Sequence, residues 1–137
     1  MKIKVEVVVN ASLEEAWRRF TQPEHIVNWN AASADWHCPA ARNELKAGGT
    51  FSYRMEARDG SMGFDFSGKF IAVEPLKHLS ILLDDKRSLE VWFEAQADGV
   101  RITEEFEAEQ ENEPELQRMG WQAILDAYAR YCENYST

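Results

Sequence analysis

Hydrophobic and polar residues alternate from the first residues of the chain. Ile3, Val5, Val7 and Val9 interleave with Lys2, Lys4 and Glu6. A period of two predicts a half-buried strand. Ser12-Leu13-Glu14-Glu15 then has the form of a capping box, with Ser12 accepting from helix amides and Glu15 reaching back. Ala16, Trp17 and Phe20 give the short helix that follows an apolar face. Pro23 suits the first turn of a second short helix running to about Trp29. From Asn30 to Ala41 no period is visible, which predicts a loop.

Alternation returns after Gly48-Gly49. Phe51, Tyr53, Met55 and Ala57 face one way, and Ser52, Arg54, Glu56 and Arg58 the other. Asp59-Gly60 is a hairpin signal. Met62, Phe64, Phe66 and Phe70 form the return strand, with Gly63 and Gly68 as points of bulging or close packing. Three more strands follow, carried by Leu79, Ile81 and Leu83, by Leu89, Val91, Phe93 and Ala95, and by Val100, Ile102, Phe106 and Ala108. The period then changes. From Pro114, the residues Leu116, Trp121, Ile124, Leu125, Tyr128, Cys132 and Tyr135 recur mostly every three or four positions. That spacing predicts a helix long enough to cross a whole sheet. Gly120 inside it is costly relative to Ala, which implies a close neighbour there.

Successive hairpins make an antiparallel meander. One face of such a sheet needs cover, and the last helix alone is long enough to give it. The expected fold is α+β: a curved antiparallel sheet wrapped round a long C-terminal helix, with two short helices after the first strand. The length of 137 residues fits one domain spanning 1–137. Such an arrangement leaves a cavity between sheet and helix.

Composition narrows the partners. Lys plus Arg is 15 against 24 for Asp plus Glu, a formal charge of −9. That charge opposes nucleic acid and anionic membranes, which need a basic patch. Seven Glu and no base fall between Glu104 and Glu115, a solvated edge or a docking surface for a basic partner. Glu6 interrupts the N-terminal apolar run, so no signal peptide is expected, and no window suggests membrane insertion. Cys38 and Cys132 are expected as free thiols in a cytoplasmic protein.

Candidate chemistry centres on aromatic and sulfur side chains. Trp29, Trp36, Tyr53, Met55, Met62, Phe64, Phe66, Phe70, Phe93, Phe106, Met119 and Trp121 either line a pocket or fill a core. Glu104 shares the apolar face of Val100, Ile102 and Phe106. A carboxylate there must be paired, protonated or wetted. Arg54 and Arg101 are the candidate partners, and a twisted strand exposing it is the other alternative. Asp35-Trp36-His37-Cys38 groups three reactive types, but adjacent residues in extended chain point opposite ways. Only His25 and His78 remain elsewhere, so no metal is expected, and no nucleotide-binding motif suggests a cofactor. A pocket-facing His37 acting as donor or base is the better candidate.

The stretches "ASLEEAW", "TQPEHIVNWNAASADWH", "NELKAGGTFSYRMEARDGSMGFDFSGKF" and "ELQRMGWQAILDAYARY" carry a resemblance. The whole chain resembles the helix-grip superfamily of START and birch-pollen-allergen-like domains, SRPBCC. More narrowly it resembles bacterial homologues of the activator of heat-shock-protein-90 ATPase. The resemblance implies the helix-grip fold and an apolar cavity. Three functions then stand as expectations. The first is binding of a small apolar or amphipathic molecule, with Trp29, Trp36, His37, Tyr53, Met55, Met62, Phe64, Phe66, Phe93, Glu104, Phe106 and Trp121 as ligand-binding residues. The second is a cyclase or hydrolase using His37 and Glu104 as acid and base. The third is association with the heat-shock-protein-90 chaperone. Fold alone does not choose among them.

Overall fold

A computed structural model describes residues 1–134. Tyr135, expected on the apolar stripe of the last helix, lies outside the described residues. Ten elements follow one another: β1 (Lys2–Val9), α1 (Leu13–Thr21), α2 (Pro23–Ile26), β2 (Trp36–Asn43), β3 (Thr50–Ala57), β4 (Gly63–Glu74), β5 (His78–Leu83), β6 (Ser88–Gln96), β7 (Gly99–Glu107) and α3 (Pro114–Asn134). The strands form one antiparallel sheet in the order β1-β7-β6-β5-β4-β3-β2. It curls into a half-barrel round α3, the α+β arrangement expected from the pattern and the helix-grip fold implied by the resemblance.

The expected loop over Asn30 to Ala41 is corrected. Trp36–Asn43 is β2, paired only with β3 at the sheet edge. Its pairing slips between His37 and Ala40, around Pro39. An edge strand tolerates proline and a bulge, and the slip destroys the alternation that would have revealed it. The irregularity in β4 falls between Phe70 and Ala72 instead of at either glycine. Gly68 is nonetheless a point of close approach: a Cβ there would lie 2.5 Å from the Leu82 carbonyl oxygen and 3.1 Å from the Phe51 ring.

The short helices anchor the far end of α3. Ser12 caps α1, its hydroxyl accepting from the Glu15 amide at 3.2 Å. Glu15 does not reach back as the capping box predicts. Its carboxylate pairs with Arg19 at 2.6 Å. Arg19 is only 2% exposed and donates to the Cys132 carbonyl at 3.1 Å. The Tyr128 hydroxyl donates to the Ala16 carbonyl at 2.6 Å, and His25 meets the Tyr131 hydroxyl at 2.6 Å. These bonds fix the C-terminal half of α3 against α1 and α2. The backbone of α3 otherwise runs closest to β1, while its Trp121 side chain reaches Phe66 of β4.

Two helix expectations need correction. Leu116 and Met119 are 59% and 56% exposed, because the buried side of α3 is carried by Gln117, Leu125, Tyr128 and Cys132. Gly120 has no close neighbour, since a Cβ there would meet nothing within 4 Å. Arg54 pairs with Glu56 at 2.8 Å and Asp65 at 3.5 Å, which makes the outer face of β3 and β4 a charged solvent face.

Candidate functional site

The curl of the sheet brings its inner rows opposite α3. Pairing register sets Glu104, Val91 and Leu79 side by side across β7, β6 and β5. Leu89, Ile81 and Phe70 form the next row across β6, β5 and β4. Paired residues share a sheet face, so these rows make an apolar floor interrupted by Glu104. Tyr53 with Phe66, and Met55 with Phe64, extend it across β3 and β4. Trp121 and Ile124 of α3, Phe20 of α1 and Trp29 complete the roof. Together they enclose a cavity of about 340 Å³.

Trp29, Tyr53, Met55, Phe64, Phe66, Glu104 and Trp121 meet there as residues named from sequence, and Phe70 joins them. The other five lie elsewhere. Phe106 is fully buried beneath Trp121, the rings stacked 4.0 Å apart, so Trp121 takes the cavity-facing position. Phe93 belongs to the core, packed edge-on against Trp17 at 5.0 Å and Phe20 at 5.4 Å. Met62 is 65% exposed, beside the Asp59-Gly60 turn where no second layer covers it. Trp36 and His37 line a separate hollow of about 280 Å³ bounded by β2, Arg58 and the far end of α3. His37 and Glu104 therefore do not share a cavity. The His37 ring lies 3.8 Å from the Glu56 carboxylate instead.

Sequence patterning placed Phe51, Leu79, Ile81, Leu89 and Val91 on inward faces without separating core from cavity. The structure assigns all five to the lining. Asn30 was not anticipated. Its amide donates to the Met55 sulfur at 3.2 Å, fixing the Met side chain in the wall. Trp29 is fixed likewise, its indole donating to the Arg19 carbonyl at 2.9 Å.

Few polar groups reach the interior. Tyr53 accepts from the Asn43 amide at 3.1 Å, and burial pushes its hydroxyl up to about 12. Glu104 is 9% exposed, and burial raises its carboxyl to about 8 from an ordinary 4.5. Neither expected arginine reaches it. Arg54 serves Glu56 and Asp65, and Arg101 lies 3.9 Å from Glu6. Arg87, Glu109, Asn112 and Gln117 gather at one end of the cavity. There Gln117 accepts from the Glu109 amide at 2.9 Å and donates to the Asn112 carbonyl at 2.8 Å. Arg87 is occupied by Asp85 at 2.7 Å and by the Glu107 carbonyl at 3.0 Å. Cys38 is buried, which pushes its thiol up and away from reactivity. Among the described residues no group of three or more His, Cys, Asp or Glu could hold a metal ion. Among them, too, no helix is long and apolar enough to cross a membrane.

Solved proteins share this arrangement of a sheet curled round a long helix. The sequence model of one family, described as "Activator of Hsp90 ATPase homolog 1-like protein", matches residues 10–133. The chain belongs to this family. A solved member, the AHSA1-like protein from Aeromonas hydrophila, is 40% identical with a TM-score of 0.92, covering 100% of this chain and 99% of its own. Chr148 from Cytophaga hutchinsonii is 45% identical with a TM-score of 0.84, covering 97% and 92%. CV1439 from Chromobacterium violaceum, at 19% identity, a TM-score of 0.86 and coverage of 98% and 99%, shares the fold. Among curated proteins no match is found. Family membership therefore brings the fold, and leaves the cavity's occupant to the residues.

Proposed function

We propose that the protein binds a small apolar or amphipathic molecule in the cavity between the sheet and α3. One observation carries this: the inward aromatic and aliphatic side chains enclose about 340 Å³ instead of filling a core. That volume falls within the roughly 300–1,000 Å³ usual for small-molecule pockets. Apolar walls supply the driving force, and isolated polar groups such as Glu104 and Tyr53 orient the guest. Trp29 and Trp121 in the wall make binding visible by fluorescence. N-phenyl-1-naphthylamine should brighten on titration, and Val91→Phe, which places a ring in the cavity, should weaken its binding about tenfold or more. No brightening with the wild-type protein would sink the proposal. A cytoplasmic protein with two free thiols, Cys38 and Cys132, fits this role.

Chaperone association is the second reading, supported by the family's description and by the exposed acids Glu111, Glu113 and Glu115. Glu115 is already paired with Arg118. A pull-down with the host's own chaperone should retain the protein under this reading and release it in high salt. Failure to retain it would count against the chaperone role. The cyclase or hydrolase reading loses its acid–base pair, because His37 and Glu104 lie in separate hollows.

A further inference from the structure

The cavity contains one deeply buried carboxyl that the protein leaves unpartnered. Glu104 is 9% exposed and has no hydrogen-bond or ion-pair partner among the described residues. Its strand neighbours are Val5 on β1 and Val91 on β6, and Trp121 and Ile124 face the same cavity from α3. None of these carries a charge. The charged or titratable residues of the lining are Tyr53, Arg87 and Glu109. Tyr53 stands four strands away in the sheet order. Arg87 is engaged by Asp85, and the Glu109 carboxylate by the Asn112 amide at 2.7 Å.

Burial is the only cause acting on the Glu104 carboxyl, and it favours the neutral acid. A neutral carboxylic acid offers one O–H donor. No protein group in the lining accepts from that donor, so a guest that enters without an acceptor strips it of water and leaves it unsatisfied, which is costly. A guest that presents an acceptor at this point removes the cost. A buried anion would find no free cation here, and a buried ammonium would have to shed its water and ionise Glu104 as well.

We infer that the cavity selects uncharged apolar molecules bearing a hydrogen-bond-accepting oxygen, such as a carbonyl, at the end that meets the Glu104 O–H. This rests on the binding role proposed above and adds the chemical class of the guest.

Four naphthalenes of similar shape test it by titration calorimetry: 2-acetylnaphthalene, the hydrocarbon 2-isopropenylnaphthalene, 1-(2-naphthyl)ethylamine and 2-naphthoic acid. At about pH 6.5 the ketone should bind about tenfold tighter than the hydrocarbon, and tighter than either ion. Glu104→Gln keeps a donor and should keep the preference for the ketone. Glu104→Leu should bring the two neutral probes within about twofold of each other. In the wild type the preference should vanish by about pH 9.5, where the acid has lost its donor, and in Glu104→Gln it should persist. The wild-type pH arm and the Gln variant decide the matter even if the Leu variant fails to fold. A hydrocarbon that binds as tightly as the ketone, or an amine or acid that binds tighter, would overturn the inference and leave the cavity's binding role standing. If none of the four binds, both fall.

Discussion

Replacing Glu104 by Gln removes a proton equilibrium from the middle of the fold. The carboxyl titrates near 4.5 when unperturbed and near 8 in the native cavity. Between those values the folded state holds a proton that the unfolded state has released. Stability therefore falls as pH rises, by about 1.4 kcal/mol for each pH unit this group spans. The contribution is fully present below 4.5, reduced by about 3 kcal/mol at pH 7, and flat above 8. Gln has the size and polarity of the neutral acid but does not titrate. Glu104→Gln should thus match the wild type near pH 4.5 and exceed it by about 3 kcal/mol at pH 7. Urea unfolding of both proteins at about pH 5, 6, 7 and 8 measures this directly, because other titrating groups cancel in the difference. A difference that stays flat with pH would mean that Glu104 is solvated or paired in the native state. The assignment of a neutral acid to the cavity would then be wrong.

Three further outcomes follow from local geometry. Gly120→Ala should raise stability by about 1 kcal/mol, seen as a rise in Tm of roughly 3–4 °C, because the new methyl meets nothing within 4 Å and Ala is the better helix former. Ser12→Ala should lower stability by about 1 kcal/mol in chemical unfolding, since the Glu15 amide loses its acceptor. Trp121→Ala should cost about 2 kcal/mol and also weaken N-phenyl-1-naphthylamine, because the lost ring both stacks on Phe106 and roofs the cavity.

The strands that alternate cleanly were readable from sequence because each has one wet face and one dry face. β1, β3, β6 and β7 fall where apolar residues alternate with polar or charged ones, and β5 where Leu79, Ile81 and Leu83 share one face. β2 was not, because Pro39 and the slip beside it interrupt the period at an edge where only one neighbour constrains the register. The split between core and cavity was also hidden. Phe106 and Phe66 follow the same inward pattern, yet Trp121 stacks over one and meets the other edge-on at 5.9 Å, leaving only Phe66 at the cavity wall. Curvature of the sheet and the line taken by α3 decide that outcome, and neither has a period in the sequence. Glu104 was the exception. A carboxylate on an otherwise apolar face is an inconsistency visible in sequence, and the structure places it in the cavity lining. His37 shows the converse, since nothing in its local sequence tells that its strand turns it into a different hollow from Glu104.

The indole resonances of the five tryptophans offer the most direct test that the aromatic wall encloses a binding cavity. Trp29 and Trp121 line it, whereas Trp92 stacks on His78 away from it, with rings 5.5 Å apart. In a nitrogen–proton correlation spectrum, titrating N-phenyl-1-naphthylamine should shift the Trp29 and Trp121 indole signals and leave that of Trp92 in place. Shifts at Trp92 with Trp29 and Trp121 unmoved would put the probe on the surface and contradict a binding cavity.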